Sequence, residues 1–212
     1  MREENGFDEP PMSWKRLTER VDQQDWPIGN LADLSLRAVE ALRRCDVIAA
    51  EDTRSSRQLL DAWGVNTPMM AAHRHNEASA AQAIIGRLQK GERVALISDA
   101  GTPAVSDPGA RGVRTIVAEG YRAIPVPGAS AVMAALMVSG ATTDENPAYT
   151  FAGFTPHKTT ARQKWFRRWS AVNMPVVFFE SPHRLAASMG DLADVLPGDR
   201  LVTIARELTK RF

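Results

Sequence analysis

Residues 94–109 read VALISDAGTPAVSDPG. Four apolar residues, Val94 to Ile97, are followed by Ser98 and then a carboxylate, Asp99. A short continuous apolar run bounded by turn residues reads as a strand buried on both faces. Gly101-Thr102-Pro103 and Pro108-Gly109 make two tight turns, with Asp107 beside the second. Proline fixes φ, and glycine lets a ligand approach the backbone. In open α/β sheets ligands bind at the carboxyl ends of the strands, where this loop falls. Asp99, at the strand end, is therefore a candidate for accepting hydrogen bonds from a ligand's hydroxyl or ammonium group. The alternative is two turns in which each aspartate bonds its own backbone.

The flanking sequence repeats the pattern. LADLSLRAVEALRRC places Leu34, Ala38, Ala41, Leu42 and Cys45 at helical spacing. Residues 46–50 (DVIAA) read as a strand, TRSSRQLLDAWG as a helix stopped by Gly64, and 68–72 as a weak strand. Asn76 is placed to cap a helix running to Gly91, and Pro108 to open another that ends at Gly120. YRAIPV reads as a strand and PGASAVMAALMVSG as a small-residue helix. Strands alternating with helices predict an α/β fold with a mostly parallel sheet.

Residues 1–25 are polar; 13–24 read as a surface helix, and nothing there reads as a buried strand. SGATTDENP (139–147) is a turn-rich break. The expected organisation is a polar segment 1–25, a domain 26–140 and a second α/β domain 141–212. In the second, AYTFAGF, MPVVFFE and RLVTIARE read as strands, with helices at HKTTARQKWFRRWS and HRLAASMGDLADVL. A last strand so near Phe212 predicts an incomplete domain.

Bulk properties narrow the function. With 26 Lys+Arg against 25 Asp+Glu, net charge selects no polyanion partner, and only a local patch can. A single cysteine, Cys45, excludes an internal disulfide and a cysteine-rich metal site, which fits a reducing compartment. No apolar run reaches the length of a membrane span, and no phosphate-binding glycine motif of the Walker or dinucleotide type occurs. His73 and His75 without further ligands read as a surface loop, so no metal is expected.

Further segments end strands or start helices in the same way. WPIGN (26–30) is a turn entering a helix, AEDTR (50–54) puts two carboxylates and Arg54 at a strand end, and PGASA (127–131) starts a helix. FESPHR (179–184) gathers Glu180, His183 and Arg184, and RELTK (206–210) ends the last strand. Each alone has a plain structural reading as an ion pair, a turn or a packing contact. Between Asn146 and Phe179 there is no acidic residue, while Lys158, Arg162, Lys164, Arg167 and Arg168 alternate with Trp165, Phe166 and Trp169. This is an amphipathic basic helix whose cations can face solvent or phosphate. Five phosphate contacts to a single strand would give a log–log salt slope of about −3.5.

Together PIGNLADLSLRA, EDTR, LISDAGTPAVSDPG, PVPGASA, FAGFTPHK, ESPHR and RELTK, in this order, closely resemble the ribosomal small-subunit methyltransferase I family. These are 16S rRNA (cytidine-2′-O)-methyltransferases of the tetrapyrrole-methylase superfamily. The resemblance covers roughly residues 27–210. It implies two α/β domains, S-adenosylmethionine as cofactor, a homodimer and a cytoplasmic enzyme acting on 16S rRNA of the small ribosomal subunit, with no membrane or DNA partner. Its cofactor contacts carry over to Pro27, Ile28, Asp99, Ala100, Gly101, Thr102, Ser130 and Ala131. Asp107, Glu180 and His183 are the candidates for taking the 2′-hydroxyl proton. Arg54, Lys158, Arg162, Lys164, Arg167 and Arg168 are the candidates for RNA.

Two departures stand out. Family members begin with an apolar strand running into Thr-Pro-Ile-Gly-Asn; here RVDQQD precedes and Trp26 replaces the threonine. The family also continues past RELTK. The expectation is an altered start, without that strand, and a truncated second domain. A non-catalytic RNA-binding or dimer-partner remnant is therefore a competing reading. A porphyrinoid C-methyltransferase is another, opposed by the EDTR, SPHR and RELTK motifs.

Overall fold

The computed structural model describes residues 20–24 and 27–210. The described residues divide into two compact units, 20–24 and 27 with 31–129, and 28–30 with 130–210.

The first unit is a five-stranded parallel sheet. Its elements in chain order are β1 (Arg20–Gln24), α1 (Leu36–Arg44), β2 (Val47–Ala50), α2 (Thr53–Ala62), β3 (Met69–Ala71), α3 (Glu77–Leu88), β4 (Val94–Ile97), α4 (Ala110–Ala118) and β5 (Arg122–Val126). The strand order is β3-β2-β4-β1-β5, every pair parallel. β2 and β4 are apolar and buried at every position, as parallel strands covered on both faces must be. Alternate residues serve opposite faces. Ile48, Ala50, Ala95 and Ile97 join Leu42, Leu59 and Leu60 of α1 and α2. Val47, Ala49, Val94 and Leu96 join Ile84, Leu88 and Ile116 of α3 and α4.

The polar start departs from expectation. Arg20–Gln24 is a strand, and it lies between β4 and β5 rather than in a surface helix. Val21 pairs with Val94 on one side and Ala123 on the other, and it is fully buried. The sheet's open ladder supplies backbone partners on both sides, so one apolar side chain serves where an alternating pattern was looked for. Trp26 and residues 1–19 lie outside the described residues.

Helix starts are set locally. Ser35 accepts the Ala38 N–H at 3.2 Å and caps α1. Asp52 accepts the Arg54 N–H at 2.8 Å and caps α2. Asn76 occupies the position before α3, but its Oδ1 turns back to the His73 N–H at 2.8 Å, so it fixes the preceding turn instead. Pro108 stands outside α4, which begins after Gly109.

The second unit holds α5 (Ala131–Ser139), β6 (Thr150–Phe154), α6 (Thr159–Ser170), β7 (Val176–Phe179) and α7 (Leu185–Ala193). β6 and β7 pair in parallel. Trp165 and Phe166 of α6 meet Phe178 of β7 edge-on or tilted, at 5.4 and 5.7 Å between ring centroids. The division falls at Ala129–Ser130, ahead of the expected break at 140. The reason is α5: Ala131, Ala135 and Leu136 line one wall of an apolar groove of about 600 Å³ whose other walls are Trp165, Trp169 and Leu192. Residues 201–206 form no strand. They join neither β6 nor β7, and Leu201 and Ile204 stay exposed. β-propensity without a pairing partner does not make a strand.

Candidate functional site

β2 and β4 are neighbours in the sheet, so the residues that follow them meet. Ser98 follows β4 and is buried, and its hydroxyl reaches the carbonyls of Ala100 at 3.2 Å and Gly101 at 3.3 Å. That pins the start of the loop. Asp99 does not bond its own turn. Its Oδ1 accepts the Asp52 N–H at 3.0 Å and the Ser55 hydroxyl at 3.2 Å, both from the segment after β2. In return the Asp99 N–H donates to Glu51 Oε2 at 3.4 Å. AEDTR and ISDAGTP thus form one structure, and Oδ2 of exposed Asp99 has no partner among the described residues.

The far end of the loop folds back on itself. Ala104 donates to the Pro108 carbonyl at 3.2 Å and Val105 to that of Thr102 at 3.2 Å. Ala104 (φ 70°) and Ser106 (φ 66°) are non-glycine residues in the left-handed region, a strain that functional loops store. Asp107 lies half-buried in this turn. Burial first, then the negative charges of Glu51 and Asp99, push its pKa up to about 6. Burial likewise raises Glu51, with Asp99 and Asp52 adding to it against the Asp99 N–H and Arg74. Three carboxylates, Glu51, Asp99 and Asp107, therefore converge on an acidic, partly dry site at the carboxyl ends of β2 and β4.

The eight positions expected to contact cofactor fall on both units. Pro27, Asp99, Ala100, Gly101 and Thr102 belong to the first, and Ile28, Ser130 and Ala131 to the second. Of the proton acceptors, Asp107 sits with Asp99 and Glu51 in the first unit, and Glu180 and His183 belong to the second.

Glu180 has a different task. It accepts from Thr155 and Ser188 hydroxyls and from the Ser181 N–H at 2.7 Å, and it pairs with Arg184 at 2.6 Å. Burial works to raise its pKa, but these donors outweigh it and hold the carboxyl below its usual range. A carboxylate so occupied ties β6, β7 and α7 together and is a weak base. His183 is exposed on a single helical turn, Pro182–Arg184.

Arg162 leaves the basic patch. It is 3% exposed, its Nε donates to Asp191 at 2.7 Å, and Nη1 donates to the His157 carbonyl at 3.2 Å. Lys158, Lys164, Arg167 and Arg168 remain on the exposed side of α6, with Arg168 5.4 Å from the Trp169 ring centroid. Arg54 is exposed at the start of α2 in the first unit. Sequence reasoning missed Glu77, whose backbone partners lie 32 to 35 residues away and leave no local signature. Among the described residues no His, Cys, Asp and Glu group is arranged to hold a metal, and no helix is long and apolar enough to cross a membrane.

A parallel sheet with its polar loops gathered beyond the strand ends defines an α/β protein whose candidate site lies at those ends. The model of the tetrapyrrole (corrin/porphyrin) methylases matches residues 26–212, and the chain belongs to that family. It is 48% identical over 186 residues to the ribosomal RNA small subunit methyltransferase I of Neisseria meningitidis serogroup A, covering 88% of this chain and 62% of that protein. Against the proteins of the same name from Mesorhizobium japonicum and Xylella fastidiosa the identities are 50% and 48%, with 62% and 67% of their lengths covered and 88% of this chain in each case. The chain thus spans less than two thirds of the first relatives it matches. Its fold resembles a uroporphyrin-III-C-methyltransferase from Thermus thermophilus (TM-score 0.56, 19% identity, 84% of this chain and 75% of that one). It also resembles a cobalt precorrin-4 methyltransferase (TM-score 0.58, 15% identity, 84% and 75% covered).

Proposed function

We propose that this chain carries the cofactor site and part of the RNA-binding surface of an S-adenosylmethionine-dependent methyltransferase, which methylates the 2′-oxygen of a cytidine ribose in 16S rRNA. The observation that carries the reading is the joined Asp99–Asp52–Glu51–Asp107 structure at the ends of β2 and β4. The named relatives, at 48–50% identity, support the substrate class.

The residues present fit the cofactor. The unpartnered Asp99 oxygen suits a ribose hydroxyl or an ammonium group, and Gly101 (φ 66°) has no side chain to bar an approach to the backbone. Pro27, Ala100 and Thr102 of the first unit would add to these contacts. S-adenosylmethionine, when bound, supplies a methyl group made electrophilic by the sulfonium. Asp107 would take the proton from the ribose 2′-hydroxyl, since a carboxyl titrating near 6 is ionised at neutral pH yet basic enough to share a proton. The pinned loop holds these groups in place, and positioning of reactants is worth up to roughly 7–11 kcal/mol. Lys158, Lys164, Arg167 and Arg168 would bind phosphate, with Arg54 at the cofactor site's edge.

Calorimetric titration with S-adenosylmethionine tests the reading. Binding near one site per chain is expected, abolished by Asp99→Ala and weakened by Asp99→Asn, which keeps the Oδ1 acceptor and loses the charge. A folded chain that takes up no cofactor sinks the proposal and favours the non-catalytic reading.

A further inference from the structure

Glu77 opens α3, yet its carboxylate serves another helix. Oε1 accepts the N–H groups of Gly109 at 3.1 Å, Arg111 at 2.9 Å and Gly112 at 3.1 Å. These are donors at the start of α4, which no carbonyl of that helix can satisfy. Burial works to raise the Glu77 pKa, but the three N–H donors and Arg111 outweigh it and keep the carboxyl charged. The Glu77 side chain lies against α4: a Cβ on Gly112 would meet its Cγ in ordinary van der Waals contact at 3.7 Å. Gly109, with φ +120°, is also the last residue of the loop that begins at Asp99.

That loop needs holding. Ala104 and Ser106 sit in left-handed backbone, which persists only where the surroundings enforce it. The Ser98 hydroxyl fixes one end, and at the other the Glu77 carboxylate is the side chain that grips the backbone. Asp107 is two residues from this second anchor.

We propose that Glu77 is a positioning residue for the cofactor loop, holding its exit so that Asp107 and the 99–103 backbone keep their binding conformation. The inference rests on the reading of that loop as cofactor-binding. Two readouts on the full chain separate the claims. Amide hydrogen exchange across residues 99–112 reports the loop itself, and titration with S-adenosylmethionine reports its consequence. Glu77→Ala should speed exchange through 99–108 while leaving β4 protected, and weaken binding by about tenfold, as when the competent loop conformation falls to about a tenth of the population. Glu77→Gln, which keeps an oxygen acceptor, should recover most of both. Should the alanine variant not fold, Glu77→Asp, whose shorter side chain withdraws the oxygen, should move both readouts the same way. A folded alanine or aspartate variant with unchanged exchange in 99–108, or with faster exchange but wild-type affinity, overturns the proposal. If the wild-type chain binds no S-adenosylmethionine, the cofactor reading falls with the binding half of this claim, and exchange in 99–108 still decides whether Glu77 holds the loop.

Discussion

Arg162 of α6 donates from Nε to Oδ2 of Asp191 in α7 at 2.7 Å, and Nη2 closes on the same oxygen. Both side chains are buried, and Gln163 Nε2 donates to Oδ1 of the same carboxylate at 3.2 Å. The pair therefore joins two helices rather than meeting a ligand. Removing one partner strands a buried charge. Asp191→Ala should cost about 3–5 kcal/mol in urea unfolding, while the double replacement Arg162→Met/Asp191→Leu should cost much less. Equal losses for the single and double variants would contradict the pairing.

With Arg162 withdrawn, four cations on and beside α6 remain for phosphate: Lys158, Lys164, Arg167 and Arg168. Four contacts to a single strand give a log–log salt slope of about −2.8, less steep than the five suggested by sequence. Replacing all four with alanine should flatten the dependence of rRNA-fragment binding by that amount. An unchanged slope would move the RNA surface elsewhere.

Asp107 carries a pH signature. Its folded pKa of about 6 exceeds the ordinary 3.8, so the folded chain binds the extra proton between those values. Stability contributed relative to an unperturbed carboxyl is lost as pH rises through that window and stays lost above it. Asp107→Asn should thus melt with wild type near pH 4 and above it near pH 8. Because the group is half-exposed, solvent screening reduces the effect to about 1 kcal/mol, or ~2–4 °C for a chain of this size. Under the proposed reaction the same variant should lose about 10²–10⁴ in methyl-transfer rate. A variant that melts lower than wild type at pH 8 would show Asp107 to be a structural partner.

The first unit was legible because its signals are local. VALI and VIAA are too apolar for anything but a doubly covered strand. The caps were less legible: Asn76, read as a cap, accepts the His73 N–H instead, while Ser35 and Asp52, not singled out in the sequence, cap α1 and α2. The loop's role in joining β2 to β4 was only half legible: two aspartates at strand ends suggest a ligand, but the Asp99–Asp52 bond spans 47 residues. Arg162 misled because a charge on a basic amphipathic helix reads as solvated, and its acid partner lies 29 residues on. Glu180 misled for the same reason, its donors being spread over Thr155, Ser181, Arg184 and Ser188. The 201–206 segment read as a strand on composition, but the ladder that would make it one is not present among the described residues.

β1 is the sharpest disagreement between sequence and structure, and it yields its own test. RVDQQ is short and mostly polar, yet it occupies an inner position of the sheet and bridges β4 and β5. Backbone hydrogen bonds do not depend on side-chain type, so the strand is specified by its neighbours' open edges and by Val21. Val21 packs with Val47, Val94 and Ile116 in one core layer. Val21→Asp puts an unpaired charge in that layer and should abolish cooperative folding or leave a molten unit. Val21→Pro removes a ladder donor and should do the same through the backbone. Deleting residues 1–24 should expose the facing edges of β4 and β5 and drive aggregation. If the deleted chain stays monomeric and melts like the full one, the inner strand is not supplied by Arg20–Gln24, and β4 and β5 must be joined in some other way.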